Sequence, residues 1–416
     1  MRPDTGQAPS PRHEPARPLP SPGAEAVTTR ILDLDLLEAP WRPEVLRIEE
    51  DEAFVTLWLG GRPVGQAWLV AEELRRDDLA QLLFRTAGEP ARRRWLEHLL
   101  ELDVAGPRAG PTIGVAVCTR DRLDDMERCL GAVGRLLDPP HEILVVDSAS
   151  RGGIDVRSLA RASGARYLRE DRPGLDRARN RALQAAASEV VAFIDDDAAP
   201  DPGWLGALGS GFADPMTLVV TGLTLPAELA TPAQRWHERH STFGRGFEPR
   251  VFDARGLPPA ASGHVGAGVN MALRRRAVEL VGPFDESLDA GTPTRSGGDN
   301  DMFARILAAG YRIRYVPDAV VRHRHRRSRG ALRSTFFGYG VGVYAAWTRA
   351  LVDREWSVLR VAPSWLLKRQ LPNLFLRLLG SRRAPPVDLQ LAELAGCLAG
   401  PWAYLRSRRR SSGEPP

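Results

Sequence analysis

Five apolar residues, Val190-Val191-Ala192-Phe193-Ile194, run without a polar break into three consecutive carboxylates, Asp195-Asp196-Asp197. An apolar, β-branched run of this length reads as a strand buried within a sheet. Three like charges at its end repel one another and cost stability unless a cation sits among them. The plainer account is a solvated acidic loop, or an N-cap for a helix starting near Asp201-Pro202. A cap needs one carboxylate, however, and here there are three.

The preceding segment sets this strand in a repeating pattern. Ile113 to Cys118 reads as a strand, Asp121 to Leu137 as a helix, and Glu142 to Asp147 as the next strand. A helix near 155–163, a short strand at Tyr167-Leu168 and a helix from Leu175 to Ala187 follow. Strands alternating with helices predict an α/β fold with a mostly parallel sheet and helices on both faces. Ligands of such sheets bind at the carboxyl ends of the strands. Thr119, Asp147 and Asp195 to Asp197 all fall there.

Outside this core, residues 1–27 are rich in proline, glycine and charge and predict a disordered tail without a signal peptide. Residues 28–105 predict a small α+β domain. In it, Phe54 to Leu59 and Val64 to Val70 form a hairpin around Gly60-Gly61, followed by helices near 71–86 and 90–102. Gly106 to Pro111 reads as a linker, and the αβ core spans 111–329. Residues 330–405 alternate arginines with apolar clusters and predict a helical segment, with 406–416 a second tail. No apolar run there reaches 18 residues free of charge, so a membrane-spanning helix is not expected. Helices lying on a membrane surface and a helical cap on the core are equally good readings.

The net charge is +5, with a pI near 9.5, and Lys368 is the single lysine. Three cysteines, Cys118, Cys129 and Cys397, fit neither a zinc spacing nor a disulfide scaffold. A reducing, cytoplasmic setting is expected, with a peripheral place at the inner face of the cell membrane as the alternative.

Further groups at element ends bear on chemistry. Asp147 closes the strand Ile143 to Val146, a place suited to bonding a base or ribose hydroxyl, or simply to capping. The turn after the first strand, Cys118-Thr119-Arg120-Asp121-Arg122, has no Gly-x-Gly-x-x-Gly pattern, which argues against a dinucleotide fold. Arg179 and Asn180 lie early in a helix, where backbone N–H groups point outward; Arg177 reads as solvated. Gly266 to Ala272 allows a close ligand approach, or a tight turn feeding a strand. Gly298-Asp299-Asn300-Asp301 opens a helix, where carboxylates commonly cap. His323 follows a strand and enters a basic run, Arg322 to Arg327. Imidazole ligates divalent ions and arginine binds phosphate.

The order and spacing of these groups resemble the family 2 glycosyltransferases of the GT-A fold. The resemblance rests on Val115 to Arg122, Val145-Val146-Asp147, Gly174 to Asn180, Phe193 to Asp197 with Pro200 and Trp204, Asn270-Met271, Phe284-Asp285, Gly298 to Asp301, and His323. It covers roughly 111–327. It implies an inverting, metal-dependent transfer of a sugar from a nucleotide-diphosphate donor to an acceptor hydroxyl. The donor site is then expected at Thr119, Arg122, Asp147, Arg179, Asn180 and Asp195. Mg²⁺ or Mn²⁺ would be held by Asp195, Asp197 and His323, with Asp196 pointing away. Asp299 matches the general base. The family usually carries an acidic residue just before the base; here that place is Gly298, so Asp301 is a second candidate. The glycine, threonine and serine stretch at 291–298 is expected to be mobile and to close over the donor. Acceptors of three kinds fit: a saccharide, a lipid-linked acceptor or a small molecule. A nucleic-acid partner is not expected. A nucleotidyltransferase and a non-enzymatic membrane- or RNA-binding module remain the alternatives.

Overall fold

The computed structural model describes residues 27–100, 102, 110–151, 155–241, 243–378 and 385–411. The N-terminal tail and most of the linker expected at 106–111 lie outside these described residues.

The N-terminal unit comprises β1 (Thr29–Asp35), α1 (Pro43–Leu46), β2 (Glu52–Leu59), β3 (Arg62–Val70), α2 (Ala71–Leu74), α3 (Leu79–Ala87) and α4 (Glu89–Leu99). β2 and β3 pair as the expected hairpin. Gly60 and Gly61 both hold φ in the left-handed region, +59° and +74°, which gives the turn a twist matching that of the strands. β1 adds parallel to β2. The first expected helix is divided into α2 and α3.

The core follows as β4 (Ile113–Thr119), α5 (Leu123–Val133), β5 (Ile143–Ser148), α6 (Val156–Ala162), β6 (Arg166–Glu170), α7 (Leu175–Ala185) and β7 (Val190–Asp195). Then come β8 (Ala198–Pro200), α8 (Trp204–Ser210), β9 (Thr217–Pro226), α9 (Pro232–Ser241), β10 (Arg250–Phe252), β11 (Asn270–Arg274), α10 (Ala277–Val281), α11 (Gly298–Ala308) and β12 (Arg312–His323). The sheet order is β10-β12-β9-β11-β7-β4-β5-β6, with β8 on β12. β7, β4, β5 and β6 are parallel, as the strand–helix alternation predicts. β11 enters antiparallel between β7 and β9. Side chains alternate across the sheet: Val115, Val117, Ala192 and Ile194 join one core, while Ala116, Val191 and Phe193 join the other. Both faces are covered, which is why these strands read as unbroken apolar runs.

Asn270, at the head of β11, ties the sheet together. Its Nδ2 donates to the carbonyls of Leu223 (2.9 Å) and Ala319 (2.8 Å), and its Oδ1 accepts from Trp204 Nε1 (2.8 Å). The residue is fully buried. Asn270→Ala is expected to lower unfolding stability by about 3 kcal/mol, because it strands two carbonyls and an indole N–H. Urea denaturation measures this; a loss below about 1 kcal/mol would show that the three bonds contribute little.

The chain ends in α12 (Arg329–Val352), α13 (Val358–Trp365), α14 (Leu371–Leu378) and α15 (Val387–Ser411). Residues 406–411, expected as a tail, therefore continue a helix. α12 and α15 lie backbone to backbone: a Cβ at Gly340 would meet the Glu393 carbonyl at 2.1 Å, and one at Gly396 the Phe337 carbonyl at 2.1 Å. Among the described residues no helix is long and apolar enough to cross a membrane. The N-terminal unit rests on β12: Arg94 binds both Asp318 carboxylate oxygens, at 3.1 and 2.9 Å, and Arg322 binds Asp33 at 2.8 Å.

Candidate active site

The carboxyl ends of β4, β5 and β7 set Thr119, Asp147 and Asp195 along one edge of the sheet. β8 then turns the chain back so that it pairs antiparallel with β12, placing Ala198 opposite His323. The Arg324 N–H donates to the Asp197 carbonyl at 3.1 Å. This short pairing brings His323 Nε2 to 3.2 Å from Asp197 Oδ1. Asp195, Asp197 and His323 then each offer a ligand atom within 4.8 Å of the others.

The electrostatics divide the three carboxylates. Burial opposes the charge on Asp197, yet His323, Arg122 and Arg326 hold its carboxyl well below the usual range. Arg122 lies 2.9 Å and Arg326 3.6 Å from Asp197. Burial and the Asp197 charge push Asp195 upward. Asp196, expected to point away, is itself buried and faces inward. It accepts from Thr119 Oγ1 (2.8 Å) and Arg122 (3.1 Å), locking the carboxylate turn to the turn after β4. Thr119 and Arg122 thus meet the acidic turn directly, and one Arg122 nitrogen bridges Asp196 and Asp197.

Asp147 accepts from the Ser150 N–H (2.9 Å), Tyr167 (2.9 Å) and Arg169 (2.6 Å). Burial opposes its charge, but these donors keep its carboxyl low. Asn180 does not face the site: its amide donates to the Phe284 carbonyl and accepts from the Phe284 N–H, both at 2.9 Å. Its role is to fix the 284–290 segment to α7. Arg177, expected in solvent, is buried and paired with Glu286.

Arg179 lies beneath the site. One of its nitrogens binds Asp176 at 2.9 Å and Asp289 at 2.8 Å. Burial pushes both carboxyls upward, each reinforced by a neighbouring carboxylate. A Cβ at Gly268 would lie 2.6 Å from this guanidinium and 3.1 Å from Asp299 Oδ2, so the glycine lets Arg179 and Asp299 close on one backbone segment. Asp299 accepts from the Gly268 N–H at 2.7 Å and from the Asn300 N–H at 2.8 Å.

Asp301 is directed elsewhere. It is buried and bound by Arg305 (2.8 Å) and Arg349 (3.1 Å). Two guanidiniums occupy its carboxylate, which ties α11 to α12 as an ion pair. The structure also accounts for Gly298. A Cβ there would lie 1.8 Å from Asp176 Oδ2, so a carboxylate from α7 fills the space that an acidic residue at 298 would need. The stretch at 291–298, expected to be mobile, is packed instead. Thr294 is fully buried, Ser296 Oγ donates to the Gly338 carbonyl (2.8 Å), and Gly297 abuts Gly342.

Sequence reasoning missed a polar cluster behind the metal-type residues. His325 Nε2 lies 2.9 Å from Glu238, and the His237 ring lies against His325 with centroids 4.2 Å apart and the ring planes tilted by 38°. Tyr339 Oη lies 3.4 Å from His237 Nε2. Burial pushes both histidines down, His325 to about 3, so both stay neutral at ordinary pH. The signal in the sequence was faint, because Gln234 to Glu238 reads as a solvated helix face and only burial reveals otherwise.

The family model for glycosyl transferase family 2 matches residues 114–282, the segment carrying β4 through β11 and the three aspartates. The chain is 30% identical over 236 residues to the pre-mycofactocin glycosyltransferase of Mycobacterium tuberculosis, covering 55% of this chain and 47% of that protein. The chain therefore spans about half the length of that relative. It is 28% identical over 277 residues to the glycosyltransferase AglE of Haloferax volcanii, covering 63% of this chain and 82% of that one. Among solved structures, a mannosyltransferase from Pyrobaculum calidifontis in complex with GDP-Man and Mn²⁺ aligns with a TM-score of 0.49 at 20% identity. It covers 77% of this chain and 97% of that one.

Proposed function

We propose that this protein is an inverting, metal-dependent glycosyltransferase moving a sugar from a nucleotide-diphosphate donor to an acceptor hydroxyl. The observation that carries this reading is the meeting of Asp195, Asp197 and His323 at the strand ends. Two carboxylates and an imidazole suit Mg²⁺ or Mn²⁺. His323 Nε2, 3.2 Å from Asp197 Oδ1, is the imidazole nitrogen that a cation between them would take. When bound, the cation neutralises charge developing on the leaving diphosphate. The match of residues 114–282 to the glycosyl transferase family 2 model and relatives named as glycosyltransferases support the reaction class.

The chain's own residues take the remaining roles. Arg122 and Arg326, beside Asp197, add positive charge where the diphosphate would lie. Asp147 and Thr119 line the nucleotide end. Asp299, held at the start of α11 by the Gly268 N–H, takes the proton of the acceptor hydroxyl as it attacks. With a single base and direct displacement, the anomeric centre inverts, by the geometric logic that separates inverting from retaining glycosidases. Arg179 ties Asp176 and Asp289 beneath this base and fixes its floor. The acceptor is a saccharide, a small molecule or a lipid-linked species.

Thermal unfolding with a panel of nucleoside diphosphates and nucleotide sugars tests the reading. With Mn²⁺ present, one nucleotide at about 100 times its Kd is expected to stabilise the fold by about 2.7 kcal/mol. The same nucleotide without metal is expected to do far less. No metal-dependent shift for any nucleotide would reject the proposal.

A further inference from the structure

The two expectations for the C-terminal segment separate in space. α12 and α15 pack on each other and on the core, with Leu398 and Trp402 of α15 still 85% and 70% exposed, and α13 and α14 carry a further apolar face turned outward. Trp356, Leu359, Leu367, Leu371 and Phe375 are 61%, 60%, 61%, 47% and 62% exposed. With the exposed Pro363 they recur every three or four residues. Residues 366–370 form a π-turn in which the Leu371 N–H bonds the Leu366 carbonyl. The wider turn keeps positions four apart on one face. The opposite face, Val358, Val361, Ala362 and Trp365, packs against Tyr344, Trp347 and Ala350. The arm is therefore anchored on one side and leaves a continuous row of large apolar side chains in water on the other. Such a row marks an interaction surface.

Charge selects the partner. From Trp356 to Val387 the sequence holds five arginines, one lysine and no carboxylate. A second copy of the arm would bring like charges face to face, which disfavours self-association. An anionic lipid surface satisfies both features, taking the apolar row into the headgroup boundary and the cations against phosphate. We propose that α13 and α14 form an arm that docks this protein on anionic lipid bilayers without crossing them. Trp356 and Phe375 are the aromatic anchors, and Arg360 and Lys368 flank the row. The proposal is independent of the sugar-transfer reading, because it rests on a surface outside the aspartate cluster.

Vesicle co-sedimentation of the full chain tests it. With equal parts phosphatidylglycerol and phosphatidylcholine, binding is expected to be at least about tenfold tighter than with phosphatidylcholine alone, since each basic residue near an anionic surface contributes about 1 kcal/mol. Leu367→Glu combined with Phe375→Glu is expected to reduce binding to both vesicle types. Arg360→Glu combined with Lys368→Glu is expected to remove the preference for phosphatidylglycerol. Thermal unfolding verifies that each variant remains folded. Equal binding to anionic and neutral vesicles, or binding unchanged in both variants, overturns the proposal. So does a stable dimer in sedimentation velocity that Leu367→Glu with Phe375→Glu dissolves, since the apolar row would then belong to a second copy.

Discussion

Asp299→Asn is expected to lower transfer by about 10²- to 10⁴-fold, the usual contribution of a positioned general base. Metal-dependent nucleotide binding should be unchanged. The substitution keeps an oxygen able to accept the Gly268 N–H, now bonded at 2.7 Å, so the start of α11 holds its shape. What is lost is the ability to take a proton. Asp301→Asn is the matching control. Its carboxylate is bound to Arg305 and Arg349, so removing its charge should lower stability and leave kcat per folded molecule near normal. Steady-state kinetics with thermal unfolding of both variants decides the assignment. Near-normal turnover in Asp299→Asn, or a selective loss of turnover in Asp301→Asn, would sink it.

Asp197→Ala is expected to abolish both the Mn²⁺-dependent thermal shift and at least about 10³-fold of transfer, since a bound cation supplies several kcal/mol to a developing diphosphate. Asp197 meets His323, Arg122 and Arg326, and its removal frees three cationic or cation-binding groups at once. Nucleotide alone is expected still to bind weakly, through the arginines. Isothermal titration with nucleotide, with and without Mn²⁺, separates the two contributions. Metal-dependent binding that survives in Asp197→Ala would place the cation elsewhere.

The parallel strands of the core were legible because each is buried on both faces, so hydrophobicity alone marks them. The aspartates at 195 and 197 were legible because consecutive carboxylates at the end of a buried strand are costly. Asn180 misled because a polar residue early in a helix looks the same whether it faces a ligand or the Phe284 backbone. Arg177 and Asp196 misled for a related reason: charge suggests solvent until a partner distant in sequence, Glu286 or Arg122, takes it up. The stretch at 291–298 looked mobile from its composition, yet its glycines serve close packing, Gly291 against Gly174, Gly297 against α12 and Gly298 against Asp176 of α7.

The sequence by itself determined the strand–helix alternation, the polar residues at the strand ends and the place of Asp299 at a helix start. All follow from local periodicity and local charge. The tertiary structure alone decided that β8 pairs with β12, and so brings His323 to Asp197. It alone decided that Asp176 fills the space beside Gly298, that Asp301 belongs to an ion pair, and that the apolar row of α13 and α14 faces outward. These are matters of which distant residues share one small volume, and that depends on how the whole chain packs rather than on any segment of it.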